Sequence, residues 1–281
     1  MILAADSGST KTDWALLSAG KEPVFFKSAG LNPNFADMAT APAEIRSALP
    51  VGICPEDVSG IWFYGAGVNS LTAGKIEHML RETFPSAGAI SVESDMLGAA
   101  RALLGNEKGF VAILGTGSNS CLYDGEGICR NVPSLGFVLG DEGSGGAIGR
   151  MLLRDCLRGT MPEAFGSGFR DMLGMDAAGV IDRIYTRPRP NAFCASLARY
   201  ALDRKDTDPY AAALVGGALR SFFSSVVSLY DGLDGLAFNA VGTVARLCEK
   251  ELMSLAAEWG MKPGKVLGSP IEGLAAFHRP I

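Results

Sequence analysis

Residues 110–132, FVAILGTGSNSCLYDGEGICRNV, alternate apolar runs with glycine-rich turns. Three apolar runs separated by two such turns predict three consecutive short strands. The chain opens with the same pattern, because ILAAD at 2–6 is followed by a polar turn and by two further apolar runs. Gly117 lies 109 residues after Gly8 in the matching turn. This repetition predicts two halves that begin with the same hairpin.

Strand and helix patterns alternate after the opening strands of the first half. AISVESD at 89–95 predicts a strand, and MLGAARALL at 96–104 predicts the helix that follows it directly. The polar, glycine-bounded segment GNEKG at 105–109 marks a domain boundary. These features predict an α/β protein. Its expected parts are an N-terminal domain at 1–106, a C-terminal helix at 270–281 that rejoins it, and a second domain at 107–269 with a helical insertion.

The composition is that of a folded globular protein. The 281 residues are 48% hydrophobic and 20% charged, which is too apolar for a disordered chain. No apolar run reaches the roughly 20 residues that a membrane-spanning helix needs. No basic segment precedes the first apolar residues, so we expect a cytoplasmic protein without a membrane partner. The net charge of −5 argues against a nucleic-acid partner.

Histidine and cysteine are too scarce or too widely spaced for several common sites. His78 and His278 are the only histidines in the sequence, which nearly excludes a Ser-His-Asp triad and a histidine-based metal site. The six cysteines contain no CxxC pair. We expect reduced and mostly buried thiols.

The first turn, within DSGSTKT at 6–12, carries groups that suit a phosphate. Small residues let backbone N–H groups approach an anion, and Ser9, Thr10 and Thr12 add hydroxyl donors. A carboxylate beside phosphates would repel them unless a cation lay between. Asp6 is therefore a candidate Mg²⁺ partner, directly or through water. The spacing is that of neither GxxxxGK[ST] nor GxGxxG, and an ordinary hairpin turn explains this segment alone equally well.

Two further glycine segments favour a ligand site. GTGSNS at 115–120 is the equivalent turn of the second half, and VGTVA at 241–245 is a strand–glycine–helix junction that suits close approach of a base or ribose. Two phosphate-type turns can face one another across a cleft and hold the phosphates of one ligand. Three such elements in this order are much less expected by chance than one.

The order of these segments resembles the ATPase superfamily of actin, hexokinase and Hsp70. Within it, GTGSNS followed by SLGFVLGDEGSGGAIGR at 134–150 resembles the N-acetylglucosamine kinase group, also called the BadF/BadG-type ATPase family. The resemblance covers nearly the whole chain, including GLNPNF at 30–35 and GSPIEGLAAF at 268–277. DSGST departs from the commoner DGGGT, since serine replaces two glycines. The resemblance implies two ribonuclease-H-like domains of the actin/hexokinase type with a nucleotide cleft between them.

Asp95 is the candidate catalytic base. It follows an apolar strand and precedes an Ala/Gly-rich helix, so its carboxylate lies where ligands collect in open α/β sheets. A carboxylate near an attacking hydroxyl can orient that hydroxyl and accept its proton. The resemblance matches Asp95 to the catalytic aspartate of the family. Its alternative role is a helix N-cap.

The resemblance also implies the remaining site residues. The expected ATP contacts are Gly8, Ser9, Thr10, Lys11, Thr116, Gly117, Gly242 and Thr243. The expected amino-sugar contacts are Asn34, Asn119, Gly136, Phe137 and Asp141. Asn34 has the alternative role of a turn residue, Phe137 stands where the family often has tryptophan, and Glu142 has no predicted role beyond helix capping.

These residues predict ATP- and Mg²⁺-dependent phosphorylation of an amino-sugar hydroxyl, above all the 6-hydroxyl of N-acetylglucosamine, by a homodimer. Two alternatives stay open. An activator ATPase of the same family drives electron transfer through an iron–sulfur cluster and needs cysteines after the second turn, where residues 140–146 contain none. A non-catalytic sugar or nucleotide sensor would not need a base such as Asp95.

Overall fold

The computed structural model describes residues 1–280, which form two compact units. The first unit comprises Met1–Lys108, Tyr123–Cys129 and the C-terminal segment that begins at Ser269; the second comprises Gly109–Leu122 and Arg130–Gly268. The sequence alone places residues 123–129 in the second domain, but they pack with the first unit. The Tyr123 hydroxyl donates to the carbonyl oxygen of Gly105 at 3.0 Å.

Ten strands and twelve helices span the described residues. The strands are β1 Ile2–Ser7, β2 Lys11–Leu17, β3 Val24–Ala29, β4 Gly60–Gly65, β5 Ala89–Ser94, β6 Gly109–Leu114, β7 Ser118–Tyr123, β8 Ile128–Asn131, β9 Ala237–Val241 and β10 Lys262–Leu267. The helices are α1 Ala41–Ala48, α2 Ala73–Thr83, α3 Asp95–Leu104, α4 Gly136–Leu139, α5 Gly145–Leu157, α6 Glu163–Leu173, α7 Ala177–Tyr185, α8 Pro190–Leu202, α9 Pro209–Ser225, α10 Thr243–Leu247, α11 Glu249–Glu258 and α12 Ile271–Phe277.

The first unit is built on a five-stranded sheet in the order β3-β2-β1-β4-β5. β1 to β3 pair antiparallel, and β4 and β5 run parallel to β1. The central strand β1 is covered on both faces, which is why Leu3, Ala4 and Ala5 are all fully buried. The carboxyl ends of β1, β4 and β5 meet at one edge, and Asp6 and Asp95 lie at that edge.

The second unit repeats this arrangement. Read from the matching edge, its strand order is β8-β7-β6-β9-β10. Each strand occupies the place of its counterpart in the first unit, so the predicted duplication of an α/β unit is confirmed. Gly8 and Gly117 lie in equivalent turns, as predicted, because residues 8–10 join β1 to β2 and residues 115–117 join β6 to β7. Ser7 and Leu114 end equivalent strands, so the structure aligns Gly8 with Gly115.

One described helical stretch, Pro209–Leu229, is long and apolar enough to cross a membrane by length and composition. The expectation that no apolar run reaches this length is therefore wrong. Leu214, Leu219, Phe222 and Phe223 belong to the core of the second unit. The stretch is a core helix, and burial against α5 and α8 explains its apolar sequence.

A buried polar network joins the C-terminal helix α12 to the rest of the first unit. Arg101 Nη1 donates to the Tyr64 hydroxyl at 2.7 Å, and that hydroxyl lies 2.8 Å from His278 Nε2. Arg101 can only donate, so the Tyr64 oxygen accepts from it, and the direction of the Tyr64–His278 hydrogen bond depends on the imidazole tautomer. Burial and the Arg101 charge lower the pKa of His278 to about 4.

Candidate active site

The first turn (residues 8–10, between β1 and β2) is closed by the Gly8 N–H, which donates to the Lys11 carbonyl at 3.0 Å. The φ angle is not positive at any of Ser7, Gly8, Ser9 and Thr10. Serine therefore fits at both places where the family more often has glycine, because no left-handed backbone conformation is required. Ser9 and Gly8 are half-buried and Thr10 is exposed, so the turn is open to a ligand.

The Thr12 hydroxyl is not available to a ligand, contrary to expectation. It lies 2.8 Å from the Ser7 hydroxyl and donates to the Ala29 carbonyl at 2.9 Å. The Ser7 hydroxyl in turn accepts a hydrogen bond from the Leu31 N–H at 3.0 Å. These buried hydroxyls instead hold the hairpin against the segment that follows β3.

Asp95 is the first residue of α3 and does not cap it. Ser94 is the N-cap, because its hydroxyl accepts a hydrogen bond from the Leu97 N–H at 3.3 Å. The alternative role of Asp95 as an N-cap is therefore wrong. Burial raises the pKa of the Asp95 carboxyl, although the backbone N–H of Met96 counteracts this shift by hydrogen bonding.

Asp6 interacts with two other carboxylates. Its pKa is raised to about 7 by burial, by the charge of Asp95 and by the charge of Asp13, while Lys11 lowers it. The structure thus brings the predicted base and the predicted metal partner close enough to repel one another. Asp13 was absent from the predicted site. The hairpin register could have revealed it, since residues that face each other across an antiparallel pair share one side of the sheet.

Asp13 is buried, and its carboxylate forms ion pairs with two lysines. Its carboxylate accepts hydrogen bonds from Lys11 Nζ at 2.6 Å and from Ser269 Oγ at 3.4 Å, and Lys27 Nζ lies 3.8 Å away. Lys11, a predicted ATP contact, is therefore held beside the carboxylate pair at the start of β2. This placement keeps one positive charge next to the first turn.

The acidic cluster does not form a complete metal site by itself. Within residues 1–280, no group of three or more His, Cys, Asp or Glu side chains is arranged to hold a metal ion. Mg²⁺ commonly binds through one or two carboxylates with phosphate oxygens and water. Asp6, whose carboxyl is repelled by Asp95 and Asp13 and lies at the end of β1, fits that kind of partial site.

The GLNPNF loop (residues 30–35) places Asn34 in solvent and Asn32 in the interior. Asn32 Nδ2 donates to the Ser9 hydroxyl at 3.2 Å, and Asn32 Oδ1 accepts from the Asn34 N–H at 3.0 Å. Gly30 lies so close to the first turn that a Cβ there would be 2.5 Å from the carbonyl carbon of Ser9. Asn34 is thus positioned by Asn32, a residue that the sequence pattern did not single out.

The second turn (residues 115–117, between β6 and β7) is supported by the start of α5. The N–H groups of Gly145 and Gly146 donate to the carbonyl oxygens of Gly115 and Thr116 at 2.8 and 2.9 Å. Thr116 is exposed. A Cβ on Gly146 would lie 2.9 Å from the Thr116 carbonyl oxygen, which explains the small residues at the beginning of this helix.

Asp141 contacts the second turn directly. Its Oδ1 accepts a hydrogen bond from the Ser118 N–H at 3.1 Å, and a Cβ on Gly117 would lie 2.8 Å from the same oxygen. Asp141 is buried and has a positive φ of 57°, which is uncommon for a residue other than glycine. Burial raises the pKa of Asp141, with the Glu142 charge adding to this shift and Arg150 opposing it.

The glycine junction lies against the second turn. Gly242 has a φ of 124°, and a Cβ there would clash with the Leu114 carbonyl and lie 3.1 Å from the Gly115 nitrogen. Thr243, the first residue of α10, is exposed. The structure therefore brings the two predicted nucleotide segments of the second unit together.

Asn119 lies on β7, two residues beyond the second turn. Its Oδ1 accepts hydrogen bonds from the Ser120 N–H and from Asn131 Nδ2, both at 2.9 Å. Among residues 1–280, Asn119 Nδ2 has no hydrogen-bond partner. The amide orientation is fixed by its oxygen, which leaves its two N–H donors for a ligand.

Gly136 and Phe137 begin the one-turn helix α4. Gly136 has a φ of 71°, and the preceding Leu135 has a φ of 58°. Arg150 donates to the Phe137 carbonyl at 2.5 Å, and its guanidinium stacks 5.4 Å from the centre of the Phe137 ring. A Cβ on Gly146 would lie 3.4 Å from that ring. The wall predicted from Gly136 and Phe137 therefore lies beside the start of α5, the helix that supports the second turn.

The predicted site residues therefore form two groups, one in each unit. In the first unit, Asp6, Lys11 and Asp95 share one sheet edge, and Asn34 is linked to Ser9 through Asn32. In the second unit, Asp141 and Gly242 contact the second turn, which includes Gly117. Phe137 lies beside Gly146 at the start of α5, the helix that supports this turn. Asn119 lies on the strand that leaves this turn.

Comparison with known proteins supports a single family. No protein-family model and no curated protein matches the chain. Among solved structures, a Porphyromonas gingivalis protein proposed to be an N-acetylglucosamine kinase shares 38% identity over 99% of this chain and 98% of its own, with a TM-score of 0.92.

Two more distant structures share the fold. A Chromobacterium violaceum protein proposed to have the same activity is 18% identical over 98% of both chains, with a TM-score of 0.72. A glucokinase of the ROK family from Streptomyces griseus, solved with glucose and AMPPNP, is 16% identical over 98% of both chains, with a TM-score of 0.59. With its paired five-stranded units and its 38% identity to the first of these proteins, the chain belongs to the N-acetylglucosamine kinase family of the actin and hexokinase ATPase superfamily.

Proposed function

We propose that this protein transfers the γ-phosphoryl group of ATP to a hydroxyl of an amino sugar, specifically the 6-hydroxyl of N-acetylglucosamine. The observation that carries the proposal is the position of Asp95, at the carboxyl end of β5 and within electrostatic reach of Asp6 beside the first turn. Membership of the N-acetylglucosamine kinase family supports the same reaction class.

Asp95 would act as the general base. A hydroxyl is a weak nucleophile, and a carboxylate that accepts its proton during attack favours transfer. Burial raises the pKa of Asp95 and so makes it a stronger proton acceptor than an exposed aspartate. Ser94 provides the N-cap of α3, so Asp95 is not needed for that role, although its carboxylate also accepts from the Met96 N–H.

The two turns would bind phosphate oxygens. In the first unit, Gly8 and Ser9 are half-buried and Thr10 is exposed, the Gly8 N–H is used to close the turn, and Lys11 adds a positive charge. In the second unit, Thr116 is exposed, and Gly117 has no room for a side chain. Gly242 and Thr243 would contact the adenosine, because Gly242 packs against the second turn and Thr243 is exposed beside it at the start of α10.

Asp6 would hold Mg²⁺, directly or through water. When bound, Mg²⁺ neutralises charge on the transferred phosphoryl group. Asp6 must be ionised for this role, and its pKa of about 7 makes that ionisation sensitive to pH near neutrality. Lys11 favours the ionised form because its ammonium lies beside the same carboxylates.

The sugar would be recognised by amides and a carboxylate. Asn34 and Asn119 can each donate to a ring hydroxyl or to the acetamido oxygen, and Asp141 can accept from a hydroxyl through an oxygen not used by Ser118. Phe137, with Gly136 beside it, would form an apolar wall against the acetamido methyl group.

A coupled assay of ADP release across hexoses and N-acetylhexosamines tests this proposal. We expect sugar-dependent turnover that is greatest with N-acetylglucosamine, and product analysis by NMR should show phosphate on the 6-oxygen. ATP hydrolysis that no sugar stimulates would contradict the proposal, and a brown protein with visible absorption would favour the activator ATPase. Homodimer formation and a cytoplasmic location stay predictions, and light scattering checks the first.

A further inference from the structure

Both serines that replace glycines in the DSGST segment bond to the GLNPNF loop through their hydroxyls. Ser7 Oγ accepts from the Leu31 N–H at 3.0 Å, and Ser9 Oγ accepts from Asn32 Nδ2 at 3.2 Å. Glycine at either position could not form these bonds. The first turn and the loop that carries Asn34 are therefore connected by side chains that are particular to this sequence.

Asn32 lies at the centre of this connection. It is only 6% exposed, and both of its side-chain polar atoms have hydrogen-bond partners. Nδ2 donates to Ser9 in the first turn, while Oδ1 accepts from the Asn34 N–H. A buried amide with both ends hydrogen-bonded has little freedom to rotate, since breaking either bond would leave an unsatisfied polar group.

Asn34 is exposed, but its side chain lies beside that of Asn32. A Cβ on Gly67 would lie 2.7 Å from Asn32 Oδ1 and 2.8 Å from Asn34 Nδ2, so both side chains pack against the same backbone. Gly30, at the start of the loop, donates to the Thr10 carbonyl at 3.2 Å. A shift of the first turn would therefore be transmitted to Asn34 through Ser9 and Asn32.

We propose that Asn32 is a positioning residue that couples phosphate binding at the first turn to sugar binding at Asn34. This inference rests on the proposed function, which assigns phosphate to the first turn and the sugar to Asn34. Ser9 is half-buried and Asn34 is exposed, so these two ends of the link keep conformational freedom; a phosphate that orders Ser9 reduces, through Asn32, the freedom that Asn34 loses when the sugar binds. Each ligand therefore binds more tightly when the other is present, and the coupling is reciprocal.

The test measures N-acetylglucosamine affinity by calorimetry with and without saturating Mg²⁺ and a non-hydrolysable ATP analogue. The ratio of the two dissociation constants is the coupling factor, which we expect to be about fivefold or more in the parent protein. Ser9→Ala removes the hydroxyl that accepts from Asn32 but keeps the backbone of the turn. We expect its coupling factor to fall by about twofold or more, since the Ser7–Leu31 and Thr10–Gly30 hydrogen bonds remain, with sugar affinity in the absence of nucleotide nearly unchanged.

Thr10→Ala is the matched control. Thr10 is the next residue of the same turn, and its hydroxyl makes no hydrogen bond within the described residues. This variant should weaken nucleotide binding while the coupling factor stays at the parent value. If Thr10→Ala reduced the factor as much as Ser9→Ala, the effect would belong to phosphate binding in general and the role of Asn32 would be overturned.

A second variant keeps the test independent of Ser9. Asn32→Ala should lose coupling and also weaken sugar binding alone, and the double variant with Ser9→Ala should lose no further coupling, since both residues act through one link. Circular dichroism checks that each variant is folded. A parent protein that binds both ligands without coupling, or a Ser9→Ala variant with the parent coupling factor, would overturn the inference. A parent protein that binds neither ligand would instead contradict the proposed function.

Discussion

Asp6 and Asp13 face each other directly across the antiparallel strands β1 and β2. Like charges at directly opposed positions of an antiparallel pair destabilise it. Asp95, at the start of α3, adds a third carboxylate whose charge also raises the pKa of Asp6. The carboxylates at this sheet edge therefore repel one another, and Lys11 and Lys27 reduce this repulsion only in part. A bound cation would reduce it further.

Replacing Asp6 should stabilise the protein in the absence of ligands. The Asp6 pKa is about 7 in the folded protein and about 3.8 in its unfolded reference, so the folded state binds the extra proton between these values. Stability is therefore lost as the pH rises from about 4 to about 7. Asp6→Asn should raise Tm at pH 8 by about 2–4 °C for each kcal/mol of repulsion removed, and this gain should vanish below pH 4.

The same variant should lose activity. A scan of rate against Mg²⁺ concentration should show a higher metal requirement for Asp6→Asn, because the proposed bridge to the phosphates is absent. Superimposable metal titrations of the variant and the parent would show that Asp6 is only a residue at the end of a strand.

Asp95→Asn should lower kcat by about 10²–10⁴ while the sugar KM changes little. The amide keeps the size of the side chain and much of its hydrogen bonding but cannot accept the proton. Glu93→Gln, which removes a carboxylate two residues earlier on β5, is the matched control and should retain normal turnover. Near-normal kcat in a folded Asp95→Asn protein would remove this residue from the mechanism.

Selectivity for the acetamido group should depend on Phe137. We expect kcat/KM for N-acetylglucosamine to exceed that for glucose by at least about a hundredfold, because a site with buried polar groups penalises a substrate that leaves them unpaired. Phe137→Ala should reduce kcat/KM for N-acetylglucosamine selectively. Equal kcat/KM values for the two sugars in the parent would contradict the acetamido pocket and leave the phosphate sites unaffected.

Two variants of Asp141 should distinguish its contribution to stability from its contribution to sugar binding. Asp141→Asn keeps an oxygen for the Ser118 N–H and tolerates the positive φ, so it should fold normally and raise the KM for both sugars more than tenfold. Asp141→Ala should in addition lose about 1–3 kcal/mol of stability, because the Ser118 N–H would lose its partner. Chemical denaturation and steady-state kinetics measure the two effects, and an unchanged KM in Asp141→Asn would exclude sugar contact by the carboxylate.

Protonation of His278 at low pH should destabilise its contact with Tyr64, which joins the C-terminal helix α12 to the rest of the first unit. Its folded pKa of about 4 lies below the reference value of 6.5, so the unfolded state binds more protons between these values. The contribution of His278 to stability should therefore fall as the pH drops from about 6.5 to about 4 and then level off, opposite in sign to the contribution of Asp6 over the same range. His278→Gln should make this part of the Tm profile shallower, whereas His78→Gln, at an exposed position on α2, should not. An identical profile in His278→Gln would show that another group is responsible.

The duplicated strand pattern, the glycine turns and the position of Asp95 after a strand were predictable from the sequence. Each depends on residues that are close along the chain, where the period of two in strands and the conformational freedom of glycine leave local signatures. The stretch at 209–229 shows the limit of such signatures. Its hydropathy suits a membrane helix, and only packing against α5 and α8 identifies it as core.

The tertiary structure alone decided which of these groups meet. Asp13 joins Asp6 through strand register, Asn32 links Ser9 to Asn34 across more than twenty residues, and Gly242 approaches Gly115 from a distant part of the chain. Hydrogen bonds and close contacts between distant segments have no periodic trace in a single sequence, because they depend on how the segments pack in three dimensions. The sequence by itself therefore determined the two repeated scaffolds and their turn chemistry, whereas packing determined which side chains orient the candidate ligand-binding groups.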